Sequence, residues 1–193
     1  MKRWSVQGEP SAAQIEAIAA LIGGGGIVLM PTDTIYGLHA LPSVAPRVAG
    51  LKRRDESKRF VTIAASAAQL ASAGIDVPDP LRELWPAPLT AVLRHGGGTI
   101  AVRVPAVAWL RDLLERTGPL ISTSANRSGE PSLTDPKALD PDLGVALDGI
   151  VDAGRREGTP STIIDFTCNE PCFLREGDPE FVANVRKKLL RSD

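Results

Sequence analysis

The sequence predicts a single α/β domain over residues 1–193, built on a mixed sheet with flanking helices, and three observations carry that reading. Helix-like and strand-like segments interleave along the chain without a strict βαβ period. Several strand-like runs follow one another across short turns, which a wholly parallel sheet does not allow. Proline and glycine are spread throughout, with no linker, repeat or low-complexity tract to divide the chain.

The elements follow in order. Ser11 and Gln14 have capping-box spacing, and Ile15, Ile18, Ala19 and Ile22 make a helical stripe that GGGG at 23–26 ends. IVLM at 27–30 is a short apolar strand, and PTDTIYGL after it reads as a loop. Ser43 is a candidate cap for a helix through Val44, Val48 and Leu51 into KRR. VTIAAS at 61–66 reads as a strand; Ser66 and Gln69 repeat the capping-box spacing, and Gly74 ends that helix. Asp79 is read as the cap of a short helix with Pro80 at its first position. LTAVLRH (89–95) and TIAVRVP (99–105) are strands joined by a GGG turn. A helix from about Val107 to Arg116 stops at Gly118, and LISTS is the next strand. Asp135–Pro136 opens another short helix; GIVDAG, STIIDF and CFLRE are short strands. Asp178–Pro179 caps a terminal helix over about 178–191, where Phe181, Val185 and Leu189 recur every four residues.

Bulk properties narrow the function. At 43% hydrophobic residues the chain can bury a real core, and a net charge of −1 gives no global attraction to nucleic acid or membrane. No apolar run approaches the eighteen residues or so of a membrane span, and MKRWSVQGEPSAAQ lacks the apolar core of a signal peptide. Cys168 and Cys172 sit four apart without a nearby histidine, a poor metal site and an ordinary pair of reduced thiols. The expected location is the cytoplasm.

Four polar segments fall at strand or helix ends, where open α/β sheets bind ligands: PTDT, the run KRRDESKR at 52–59, STSAN, and Ser161. The cationic run is either a solvated helix end or a phosphate clamp, with Lys52 and Arg54 two apart and no evident structural partner for either. PLISTSANRSGEPS (119–132) packs six short hydroxyl or amide side chains into eleven residues, which can donate to phosphate or carboxylate oxygens without crowding a ligand. Arg103 lies in a strand with apolar neighbours on both sides, so it needs a salt-bridge partner or a substrate carboxylate. There is no GxxxxGK[ST] loop, GGGG precedes a strand rather than opening a helix, and no Ser-His-Asp arrangement is present. His39 and His95 are isolated and read as surface or packing residues.

PTDTIYGL, KRR followed by Lys58, WPAPLT, AVRVP, STSANRSGEPS and PSTIID occur in this order over about residues 10–177. On these motifs the chain resembles the YrdC-like family of threonylcarbamoyl-AMP synthases, in the short form without an extra C-terminal domain. The resemblance implies a twisted mixed sheet with helices around a deep positively charged cleft. It implies synthesis of L-threonylcarbamoyl-AMP and pyrophosphate from L-threonine, bicarbonate and ATP, a nucleotidyl transfer, with Mg²⁺ arriving on ATP and no prosthetic group. The product would feed proteins that threonylcarbamoylate tRNA. By the same resemblance Lys52, Arg54, Ser124 and Asn126 face the nucleotide. Lys58, Thr99, Ser132 and Arg175 match further ATP contacts. Thr32, Ser122, Arg103 and Ser161 match positions that hold threonine, with Arg103 on its carboxylate.

Four positions depart from the usual pattern: Arg59–Phe60 stand where Pro-Leu is usual, Ala87 where glycine is usual, and Ile63 where some members present a polar contact. The rival reading is a non-catalytic paralogue that binds RNA or a nucleotide. Against RNA stand 4% aromatic residues, one tyrosine and near-neutral charge.

Overall fold

Ser11 opens the first helix, α1 (Ala12–Gly23), with a reciprocal capping box: its hydroxyl accepts from the Gln14 N–H at 3.3 Å, and the Gln14 side chain accepts from the Ser11 N–H at 2.8 Å. The computed structural model describes residues 1–52, 59–126 and 130–189. Ile15, Ile18 and Ile22 of α1 pack against Trp109, Leu110, Leu113 and Leu114 of α5 (Ala108–Thr117), whose apolar residues recur at helical spacing. Together they cover one part of the sheet.

The strands are β1 (Lys2–Ser5), β2 (Val28–Pro31), β3 (Tyr36–Ala40), β4 (Val61–Ile63), β5 (Leu89–His95), β6 (Gly98–Arg103), β7 (Leu120–Ser124), β8 (Gly149–Asp152), β9 (Thr162–Asp165) and β10 (Cys172–Arg175). Among the described residues they form one sheet in the order β1-β8-β2-β3-β7-β4-β6-β5-β9-β10. β1–β8, β2–β8, β4–β6 and β5–β9 are parallel and the other neighbours antiparallel, so the mixed sheet expected from the sequence is present. The remaining helices are α2 (Ala45–Lys52), α3 (Ala67–Ser72), α4 (Asp79–Leu84), α6 (Pro141–Val145) and α7 (Pro179–Leu189).

Local expectations fail where a partner remote in sequence decides. YGL, read as the end of a loop, opens strand β3, which is buried at every residue between β2 and β7. KRWS, unread, is edge strand β1 against β8. Ser43 sits in a single 3-10 turn rather than capping α2, and Asp79 lies inside α4 with Pro78 at the cap. Only half of the second capping box forms. The Ser66 hydroxyl accepts from Gln69 N–H, but the Gln69 amide goes to Ala65 N–H and the Leu114 carbonyl. Asp178 does cap α7, accepting from Phe181 N–H at 2.8 Å.

Two faces of the central strands diverge in character. Ala91, Val102 and Ile164 point into an apolar cluster with Leu70, Leu81, Trp85 and Val185. Their neighbours one residue away, Thr90, Arg103 and Ile163, are register partners across β5, β6 and β9 and point the other way. That second face carries the site.

Candidate functional site

Strand periodicity builds the floor of a cavity of about 420 Å³. Residues two apart contribute in pairs: Ser122 and Ser124 from β7, Val61 and Ile63 from β4, Ala101 and Arg103 from β6, Thr90 and Val92 from β5. Gly37 of β3, Ile163 of β9 and Arg175 of β10 extend it, and the PTDT loop and Ser132 wall it. The volume lies within the range of small-molecule sites. Among the described lining residues are three arginines, Arg59, Arg103 and Arg175, and no aspartate or glutamate. The cavity therefore favours an anionic ligand.

Seven residues singled out in the sequence line this one cavity: Thr32, Arg103, Ser122, Ser124, Ser132, Ser161 and Arg175. They come from elements up to 143 residues apart, counting from Thr32 to Arg175, so only the sheet brings them together.

Arg103 is 7% exposed and has the salt-bridge partner that the first alternative called for. Nη2 is salt-bridged to Asp33 and Nη1 donates to the Thr34 hydroxyl at 3.1 Å. The other Asp33 oxygen accepts from the Ala106 N–H at 3.1 Å, which fixes the carboxylate. Nε of Arg103 is buried and has no hydrogen-bond partner among the described residues. Burial pulls the guanidinium below its usual pKa, with Asp33 opposing. Arg103 also lines the cavity, and a guanidinium is a group that pairs with carboxylates.

At the far wall, Arg175 Nε donates to the Ser161 carbonyl at 2.9 Å and Nη2 to the Ser161 hydroxyl at 3.1 Å. That hydroxyl also pairs with Thr90 at 2.9 Å. Desolvation lowers the Arg175 pKa as well. Thr32 serves its own loop: its hydroxyl donates to the Ile35 carbonyl at 2.9 Å and accepts from the Thr34 and Ile35 N–H groups at 3.2 and 3.3 Å.

Three expected contacts are placed differently. Lys52, read as lacking a structural partner, is 2% exposed. Its ammonium donates to the carbonyls of Ser124 and Asn126 and lies 3.4 Å from the Asn126 side-chain oxygen. The reason is that β7 ends at Ser124, leaving carbonyls without a ladder partner. Asn126 is beyond the strand, so alternation with Ser124 does not hold; its amide closes the loop onto the Glu130 carbonyl. Thr99 is exposed outside the cavity lining, and its carbonyl accepts from Arg59. Arg54 and Lys58 lie outside the described residues.

Sequence reasoning missed Asp33 and Thr34, although both stand in the PTDT motif; an acid near an in-strand arginine was the available signal. It also missed Arg59 and Tyr36. The Tyr36 hydroxyl donates to the Gly154 carbonyl at 2.8 Å and pins the coil after β8 against the site. Further along that coil, Gly158 lies so close to the Thr34 backbone that an added Cβ would fall 1.7 Å from its carbonyl oxygen.

His39 is fully buried, and burial lowers its pKa to about 4. Its folded pKa lies below its unfolded value of about 6.5. Its contribution to stability is therefore complete above about pH 6.5 and is lost as pH falls toward 4, up to about 3 kcal/mol. Tm measured between these pH values should fall more steeply in the wild type than in His39→Gln.

Among the described residues no helix is long and apolar enough to cross a membrane, and no cluster of three His, Cys, Asp or Glu could hold a metal.

A family profile named Sua5_yciO_yrdC and described as telomere recombination matches residues 20–177. The threonylcarbamoyl-AMP synthase of Nitrosococcus oceani is 34% identical over 79% of this chain and 92% of its own length. The crystal structure of P. abyssi Sua5 complexed with L-threonine superposes with a TM-score of 0.85 at 31% identity over 96% of this chain, which spans 61% of that protein. E. coli YciO superposes with a TM-score of 0.80 at 23% identity, a likeness of fold.

Proposed function

This chain belongs to the Sua5–YciO–YrdC family, and from that premise we propose that it is a threonylcarbamoyl-AMP synthase. The observation that carries the reading is Arg103. Its buried guanidinium stands at a hydroxyl-lined cavity of small-molecule size. In the proposed complex Arg103 takes the threonine carboxylate, and the hydroxyls of Ser122 and Ser161 take its polar groups. Ser124, Ser132 and Arg175 face the nucleotide, with Arg54 and Lys58 added from outside the described residues. Thr32 and Lys52 hold the two walls in shape. Asn126 acts on the nucleotide side through its loop, and Thr99 through its carbonyl, which holds Arg59.

The chemistry follows from positioning. The threonine amine adds to bicarbonate and loses water to give a carbamate. A carbamate oxygen attacks the α-phosphorus of ATP, the bond to the β-phosphate oxygen breaks, and pyrophosphate leaves. This is nucleotidyl transfer, and it asks for alignment and charge stabilisation rather than a dedicated acid–base pair. His39, held neutral and buried, is consistent with that. Magnesium enters as part of the MgATP substrate, since the described lining offers no carboxylate to cage it. The product is then consumed by threonylcarbamoyl-transfer proteins acting on tRNA.

Calorimetric titration tests the reading against an RNA-binding one. Threonine should bind more tightly once ATP is present, and tRNA or double-stranded RNA should give no saturable heat. Saturable RNA binding without any response to ATP and threonine contradicts the synthase reading.

A further inference from the structure

His39 lies on the same face of the sheet as Ser122 and Gly37, at the edge of the cavity floor. It is 0% exposed, and its register partner across β3 and β7 is Ser122. Nε2 of its ring lies 3.3 Å from the Ser122 hydroxyl, while Nδ1 has no hydrogen-bond partner among the described residues. The serine is the one side chain that meets the ring there, beside the backbone at Gly37 and Val28. An apolar side chain of similar size would fill the same space without burying an unmatched nitrogen, so packing alone does not account for histidine here.

The strand makes room for the ring. A Cβ on Gly37, two residues earlier on the same face, would come within 2.9 Å of His39 Cε1 and 3.1 Å of the Thr123 carbonyl oxygen. Gly37 and Ser122 line the cavity whereas His39 does not. Arg103 is near enough for its charge to oppose protonation of the ring. A neutral imidazole beside the arginine can hold the serine without adding a second positive charge at the carboxylate clamp.

We propose that His39 is a positioning residue for the amino-acid substrate: its Nε2 fixes the Ser122 hydroxyl, leaving that hydroxyl one defined direction in which to meet threonine. The inference rests on the synthase reading and on Ser122 touching threonine. It places histidine beside the serine, acting through it and never on the reacting atoms.

The test is steady-state kinetics on the full chain with His39→Leu, His39→Gln, His39→Asn, Ser122→Ala and the His39→Leu/Ser122→Ala double variant, each with a melting curve. Losing one neutral hydrogen bond corresponds to about a three- to tenfold effect. His39→Leu should raise the threonine KM by about that factor and leave the ATP KM within about twofold. Gln, whose amide reaches the Nε2 position, should restore the threonine KM, and Asn, which is too short, should not. The double variant should be no worse than Ser122→Ala, because the two residues act as a unit.

If His39→Leu does not fold, the Gln and Asn pair decides by the same criterion. Equal rises in both KM values, equal effects of Gln and Asn, or additive losses in the double variant overturn the inference. Absence of threonine-dependent turnover in the wild type contradicts the synthase reading and this inference with it. Wild-type turnover with an unchanged threonine KM in His39→Leu contradicts the inference alone.

Discussion

Arg103→Lys is expected to raise the apparent threonine KM by about ten- to a hundredfold while the ATP KM stays nearly unchanged. Lysine keeps a positive charge opposite Asp33, so the fold should survive. It loses the planar fork whose Nε faces no partner among the described residues. A charge-assisted hydrogen bond to a substrate carboxylate is worth roughly 1.5–3 kcal/mol, which gives the expected factor. Steady-state kinetics with each substrate varied in turn reads the result. A fall in ATP affinity equal to that for threonine would show that Arg103 faces the nucleotide or serves structure alone.

The second large effect is expected from Lys52→Met, and it is one of stability before catalysis. Methionine keeps much of the buried volume but leaves the Ser124 and Asn126 carbonyls without the ammonium that now bridges them. Losing charge-assisted hydrogen bonds to buried acceptors costs about 3 kcal/mol in total. For a chain of this size that corresponds to a fall in Tm of about 6–12 °C. Turnover should fall as well, because the bridge sets the path of the chain as it leaves the cavity wall at Ser124. A melting curve by circular dichroism checks the first part. An unchanged Tm with lost turnover would return Lys52 to a direct phosphate contact.

These two side chains show what the sequence could disclose. Arg103 was legible because a charge inside an apolar strand demands a partner wherever the strand lies. Its partner was not, since Asp33 is 70 residues away and only the sheet order joins them. Lys52 was misread for the same reason: it looked like one member of a solvated cationic run, and its acceptors lie 72 and 74 residues on. Strand β3 escaped because Gly37 and His39 break an apolar run with residues poor in strand preference. Its two edges are paired by β2 and β7, which no local pattern encodes. By contrast α1, α5, α7 and the β5–β6 hairpin were readable from caps, periodicity and turn glycines, which are local. Of the site, the hydroxyl-bearing motifs were visible in order along the chain. Their meeting on one face, and the exclusion of Asn126 from it, needed the observed end of β7.

The central claim is that one cavity joins threonine, bicarbonate and ATP. Incubation of the purified chain with radiolabelled bicarbonate, threonine and MgATP tests it most directly. The account predicts a labelled threonylcarbamoyl adenylate and an equal amount of pyrophosphate, both lost when threonine is omitted and both reduced in Arg103→Lys at low threonine. A folded protein that binds ATP yet yields no labelled adenylate with all three substrates present would contradict it.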